Sequence, residues 1–125
     1  MNNLNLFGEI INGNQIGESI DFKTANIDYK GDEEFQNGVY GCKVLGLDKE
    51  YFGILNIGVR PTVEDNGKIS YEVHIFDFNS NIYGLNVEVE LLFFIREEVK
   101  FESIGDLKNK IANDIIIVKD RLEII

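Results

Sequence analysis

The feature that most constrains the fold is a change of hydrophobic period near the C-terminal end. From Asn86 to Phe94, Val87, Val89, Leu91 and Phe93 alternate with Asn86, Glu88 and Glu90. That is the two-residue period of a strand with one face against a core and the other in water. Further on, Ile104, Leu107, Ile111, Ile115, Val118 and Leu122 recur at steps of three and four, which draws one apolar stripe along a helix. Ser103 is placed to cap its start, and Asp106 sits in the first turn, where a carboxylate complements exposed N–H groups. Gly105 in that turn weakens the helix a little.

Four earlier segments carry the strand signal, rich in β-branched and aromatic residues and bounded by Gly, Asn and Asp: Leu6–Ile11, Gly38–Leu45, Phe52–Ile57 and Ile69–Phe76. Asp65-Asn66-Gly67 and Asn79-Ser80-Asn81, the latter leading into Tyr83-Gly84, supply residues that tolerate positive φ, so both are expected to close antiparallel hairpins. Short strands followed by one terminal helix, with no alternation of strand and helix, predict an all-β fold with a C-terminal helix. The architecture expected is a closed or nearly closed antiparallel β-barrel with the helix packed on it.

With 125 residues, the chain has the size of one domain, spanning 1–125, with one core. Its formal net charge is −10, from 22 acidic and 12 basic residues. This is the wrong sign for neutralising a phosphate backbone, which argues against nucleic acid and against an oligonucleotide-binding barrel. A small polyphosphate stays compatible, because a divalent cation and a few N–H groups can offset its charge locally. No apolar run approaches the roughly 18 residues of a membrane span. The start, Met1-Asn2-Asn3-Leu4-Asn5, lacks the basic and apolar regions of a secretory signal, and Cys42 is the single cysteine. A cytoplasmic location, with no membrane partner, is the expectation.

Two places carry residues suited to chemistry. In Ile69–Phe76, alternation puts Tyr71, Val73 and Ile75 on one face and Glu72, His74 and Phe76 on the other. Glu72 there is either a catalytic carboxylate or a solvated one. His74 is the only histidine, so with Cys42 it cannot build a zinc cluster, and it reads first as a strand-face imidazole bonded to a neighbour. In Thr24-Ala25-Asn26, the hydroxyl and the amide project to the same side of an extended chain, as two hard oxygen ligands suited to Mg²⁺ beside phosphate. A capped turn is the alternative. No G-x-x-x-x-G-K-[ST] pattern occurs, which excludes a P-loop kinase.

Together with Thr24-Ala25-Asn26, the runs Asn56-Ile57-Gly58-Val59-Arg60-Pro61-Thr62, Glu72-Val73-His74-Ile75-Phe76-Asp77-Phe78, Ile82-Tyr83-Gly84, Phe94-Ile95-Arg96-Glu97-Glu98 and Lys100-Phe101-Glu102-Ser103, with the helix containing Leu107 and Asp114, resemble the riboflavin kinase (flavokinase) family over nearly the whole chain. The resemblance implies a six-stranded Greek-key antiparallel β-barrel with a C-terminal helix. It implies transfer of the ATP γ-phosphoryl group to the ribityl 5′-hydroxyl of riboflavin, giving FMN and ADP, with Mg²⁺. Thr24 and Asn26 would hold metal and phosphates, and Glu72 would be the base. Gly17 and Lys23 would lie in a loop over ATP, with Tyr83 near the nucleotide, while Arg96 and Phe101 would contact the flavin. In bacteria such a domain usually follows an adenylyltransferase half. This chain lacks that half, so FAD synthesis is not expected of it, and an adenylyltransferase domain or separately encoded protein is the partner implied.

The family pattern before the metal motif is close to G-R-x-x-G-[FI]-P-T-A-N, and here Glu18, Asp21 and Lys23 replace its arginine, glycine and proline. Two added carboxylates oppose a polyphosphate, and loss of the proline frees a φ angle. Lys23 offers a compensating positive charge. Two readings follow: an active stand-alone kinase, or a catalytically degenerate flavin-binding or regulatory barrel of the same family.

Overall fold

A computed structural model describes residues 4–14, 24–59, 69–78, 80–98 and 103–123. Six strands, β1 (Leu4–Asn14), β2 (Thr24–Tyr29), β3 (Gly38–Leu45), β4 (Tyr51–Val59), β5 (Ile69–Ile75) and β6 (Asn86–Arg96), precede one helix, α1 (Ile104–Arg121). The strands close into a barrel in the order β1-β2-β5-β4-β3-β6, and every neighbouring pair is antiparallel. Closure leaves no sheet edge unpaired.

Alternation along each strand sorts side chains into two cores. Leu6, Ile10, Ile27, Cys42, Val44, Leu55, Ile57, Val73, Ile75, Val87, Val89 and Leu91 point inward and fill the barrel. On the outside, Val39, Ile54 and Phe76, with Phe52, Phe93 and Ile95, form a second cluster against Ile115 and Val118 of α1 and Leu122 at its C-cap. Val118 is fully buried there, worth about 1.5–3 kcal/mol relative to an exposed side chain. The helix starts as its sequence predicts: Ser103 has extended backbone, and its hydroxyl accepts a hydrogen bond from the Asp106 N–H at 3.1 Å. At its other end, the Arg121 guanidinium lies 4.2 Å from the centre of the Phe93 ring.

One open choice is decided and one sequence expectation changes. Of the two readings of Thr24-Ala25-Asn26, the extended chain holds: Thr24–Tyr29 is a strand, not a capped turn. Its inward residues Ala25, Ile27 and Tyr29 join the barrel core, and Thr24, Asn26 and Asp28 take the opposite face. The Asn79–Gly84 segment does not close a hairpin, because β5 pairs with β2 and β4 whereas β6 pairs with β1 and β3. Instead the chain crosses the barrel end and bonds to β1, Gly84 N to Ile10 O at 2.8 Å and Ile10 N to Leu85 O at 2.9 Å. Turn residues reverse the chain, but burial of Phe76 and Ile82 decides where it goes next. β4 and β5, by contrast, pair from Gly53↔Ile75 to Val59↔Ile69 as expected. Asp65-Asn66-Gly67 between them lies outside the described residues, as does Asn79.

Candidate active site

The barrel brings the two chemically suggestive segments side by side. In the β2–β5 ladder Asn26 stands directly opposite Glu72, and in the β5–β4 ladder Glu72 stands directly opposite Asn56. Directly opposed Cβ atoms lie about 4.5–5.5 Å apart, so Asn26, Glu72 and Asn56 form one row across three strands on the outer face. Thr24, two residues before Asn26, shares that face, and so does His74, which stands opposite Ile54. The row therefore borders the apolar cluster under α1.

Asn26 is only 7% exposed. Its Oδ1 and the Oγ1 of Thr24 are buried without a hydrogen-bond partner among the described residues. An unpaired buried polar atom costs about 1–3 kcal/mol, so two such oxygens on one face are a destabilising feature that a ligand would relieve. A hydroxyl and an amide carbonyl are hard oxygen donors, and the pair fits a divalent cation that completes its shell with phosphate oxygens and water. Among the described residues no three His, Cys, Asp or Glu side chains converge in a metal-ligating group.

Beyond Asn56 on the same face of β4 comes Gly58, paired with Ser70, whose hydroxyl donates to the Gly58 carbonyl at 3.2 Å. The Glu98 carboxylate lies over Gly58 in the space a side chain would occupy. Any larger residue there would displace it.

Arg96 lies farther round, opposite Val39, which is itself opposite Asn56. Three strand spacings separate it from Glu72, about 14 Å along the sheet. Its guanidinium grips Asp114 of α1, Nε to Oδ1 at 3.0 Å and Nη2 to Oδ2 at 2.8 Å, and donates from Nη1 to the Glu97 carbonyl at 3.1 Å. Asp114 is 1% exposed. A signal for this pair is present in the chain itself: Asp114 falls between Ile111 and Val118 on the apolar stripe, where a carboxylate needs a cationic partner. Tyr83 is 65% exposed, and its N–H donates to Asn81 Oδ1 at 2.9 Å. It adjoins Gly84, which is bonded to β1 about 13 Å along that strand from Asn14, the residue opposite Thr24. Gly17, Glu18, Asp21, Lys23, Arg60-Pro61-Thr62 and Phe101 lie outside the described residues.

A family model described as Flavokinase: Riboflavin kinase matches residues 1–122. The chain belongs to the riboflavin kinase family. Among curated relatives, the RNA-binding riboflavin kinase of Bacillus subtilis is 41% identical over 94% of this chain and 51% of its own length. The bifunctional riboflavin kinase/FMN adenylyltransferase of Haemophilus influenzae is 46% identical over 91% of this chain and 37% of its own. The chain thus spans about half or less of the length of these riboflavin kinase relatives. Among solved structures, a chain titled a macrolide-efflux protein from Streptococcus pneumoniae superposes with a TM-score of 0.84 at 31% identity, over 94% of this chain and 38% of that one. The riboflavin kinase of Trypanosoma brucei, at 23% identity and a TM-score of 0.71 over 98% and 82%, shares the fold.

Proposed function

We propose that this chain is a riboflavin kinase that transfers the γ-phosphoryl group of ATP to the ribityl 5′-hydroxyl of riboflavin, giving FMN and ADP. The observation that carries this reading is the cross-strand row in which Asn26 faces Glu72, beside the two orphaned oxygens of Thr24 and Asn26. Thr24 Oγ1 and Asn26 Oδ1 would hold a divalent cation, taken to be Mg²⁺, which when bound neutralises charge on the transferring phosphates. The Glu72 carboxylate, one strand away, accepts the proton of the hydroxyl as its oxygen bonds to phosphorus, and the β–γ bridging oxygen leaves with ADP. Phosphoryl transfer asks mainly for alignment and charge neutralisation, so one positioned carboxylate is enough for the proton.

By family resemblance Gly17 and Tyr83 are assigned to the nucleotide, and Arg96 and Phe101 to the flavin; Lys23, which stands where the family has proline, is assigned to the phosphates by its positive charge. The kinase reading is preferred to a degenerate flavin-binding barrel because two buried oxygens left unpaired beside a carboxylate cost stability and would serve no purpose in a barrel that only binds flavin. An adenylyltransferase, as a domain or a separate protein, is the partner that would consume the FMN.

The test is formation of FMN from riboflavin and Mg·ATP, followed by chromatography with fluorescence detection. Glu72→Gln is expected to lower turnover by about 10²-fold or more, the scale of a lost general base, while riboflavin and Mg·ADP still bind. Unchanged turnover in that variant would remove Glu72 from the chemistry, and no FMN from the wild type would overturn the assignment.

A further inference from the structure

The row of outer-face residues has a direction. Its β2 end carries the orphaned oxygens of Thr24 and Asn26, suited to the cation and phosphates of the donor. Glu72 on β5 stands in the middle. In a phosphoryl transfer the attacking and leaving oxygens are roughly in line. With the donor on the β2 side of Glu72, the acceptor therefore has to approach from the β4 side. The first side chain on that side is Asn56, directly opposite Glu72. It is exposed, and among the described residues its amide has no hydrogen-bond partner. The next outer-face position on β4 is Gly58, which bears no side chain and leaves room for the Glu98 carboxylate to lie over the strand. Thus the surface that follows Glu72 offers an amide that both donates and accepts, then a carboxylate that accepts. Such groups match hydroxyls spaced along a chain, not an aromatic ring.

We propose that Asn56 and Glu98 form the subsite for the polyhydroxylated chain of the acceptor, making them positioning and specificity-determining residues for the carbons next to the reacting hydroxyl. The inference rests on the kinase reading for its direction, since the site of the donor fixes the side from which the acceptor enters. Asn56 hydrogen-bonds the hydroxyls nearest the reacting one, and Glu98 accepts from one farther along. The pair rewards a ribityl chain over an equally long chain without its secondary hydroxyls.

The experiment compares riboflavin with a flavin carrying a 5-hydroxypentyl chain, which keeps the terminal hydroxyl and lacks the others. Equilibrium binding is read by flavin fluorescence, and turnover by phosphorylated product. The wild type is expected to prefer riboflavin by at least about tenfold, the scale of one or two lost hydrogen bonds. Asn56→Ala and Glu98→Ala should each erode that preference, raising the KM for riboflavin with the KM for Mg·ATP unchanged. Asn56→Asp, nearly isosteric, separates loss of the amide donor from loss of bulk. Equal binding of both flavins by the wild type, binding of neither, or full wild-type preference in both alanine variants would overturn the proposal. Preferential binding of riboflavin that depends on Asn56 and Glu98 but proceeds to no product would uphold this subsite and instead refute the kinase reading.

Discussion

Replacing Asp114 by asparagine isolates the pair that fastens the helix to the barrel. The side chains of Arg96 and Asp114 are 16% and 2% exposed, and three hydrogen bonds of 2.8, 3.0 and 3.2 Å join the guanidinium to both carboxylate oxygens. Asparagine keeps the shape but removes the charge and one acceptor oxygen. The guanidinium then faces a neutral amide instead of a carboxylate in a largely dry site, while its hydrogen bond to the Glu97 carbonyl is kept. Breaking a buried pair from one side costs about 3–5 kcal/mol. Partial exposure of Arg96 lets water reach its outer nitrogen, which puts the expected loss at about 3 kcal/mol. With a urea m-value of about 1.5 kcal/mol/M for a chain of this size, that lowers the unfolding midpoint by about 2 M, readable by far-ultraviolet circular dichroism. The double variant Arg96→Met/Asp114→Leu replaces the pair by apolar groups and is expected to regain most of the loss. It also separates two roles of Arg96: if the guanidinium contacts flavin, the double variant folds but binds riboflavin weakly. A loss below about 1 kcal/mol in Asp114→Asn would refute the account of the pair as the fastening of α1.

Two further outcomes follow from buried atoms. Thr24→Val removes a buried hydroxyl oxygen that has no partner among the described residues while keeping the shape; the ligand-free protein should gain about 1 kcal/mol as Mg·ATP binding weakens, and thermal melts with and without Mg·ADP would show the two effects moving in opposite directions. Cys42 is fully buried, and desolvation pushes its thiol well above the ordinary value of 9.0. Its raised folded-state pKa means that the associated stability is intact below about pH 9 and is lost as pH rises above it, by about 1.4 kcal/mol per pH unit from this group. Urea unfolding at pH 8, 9 and 10 in the wild type and in Cys42→Ala would test this, the variant being expected to lose that share of the slope. A thiol reagent should label the native protein only at the rate of unfolding.

The helix was legible because local rules determined it: a stripe at helical period, a serine at the cap and an acid in the first turn all act within a few residues. Strand β2 was harder, since six residues in which polar Thr24, Asn26 and Asp28 alternate with Ala25, Ile27 and Tyr29 resemble a polar turn until a neighbouring strand is known. The Asn79–Gly84 segment misled for the same reason, as turn chemistry is local and the choice of β1 as its partner is not. The pairing of Asn26 with Glu72 lies between these cases. Alternation told which way each side chain points, and the resemblance told that both belong to one reaction, but the 46 positions separating them are bridged only by barrel closure. Asn56 shows what that leaves hidden: it is 16 residues from Glu72 in the chain yet its direct neighbour on the sheet. The place proposed for it on the acceptor side of the carboxylate emerges only when register and the direction of phosphoryl transfer are considered together.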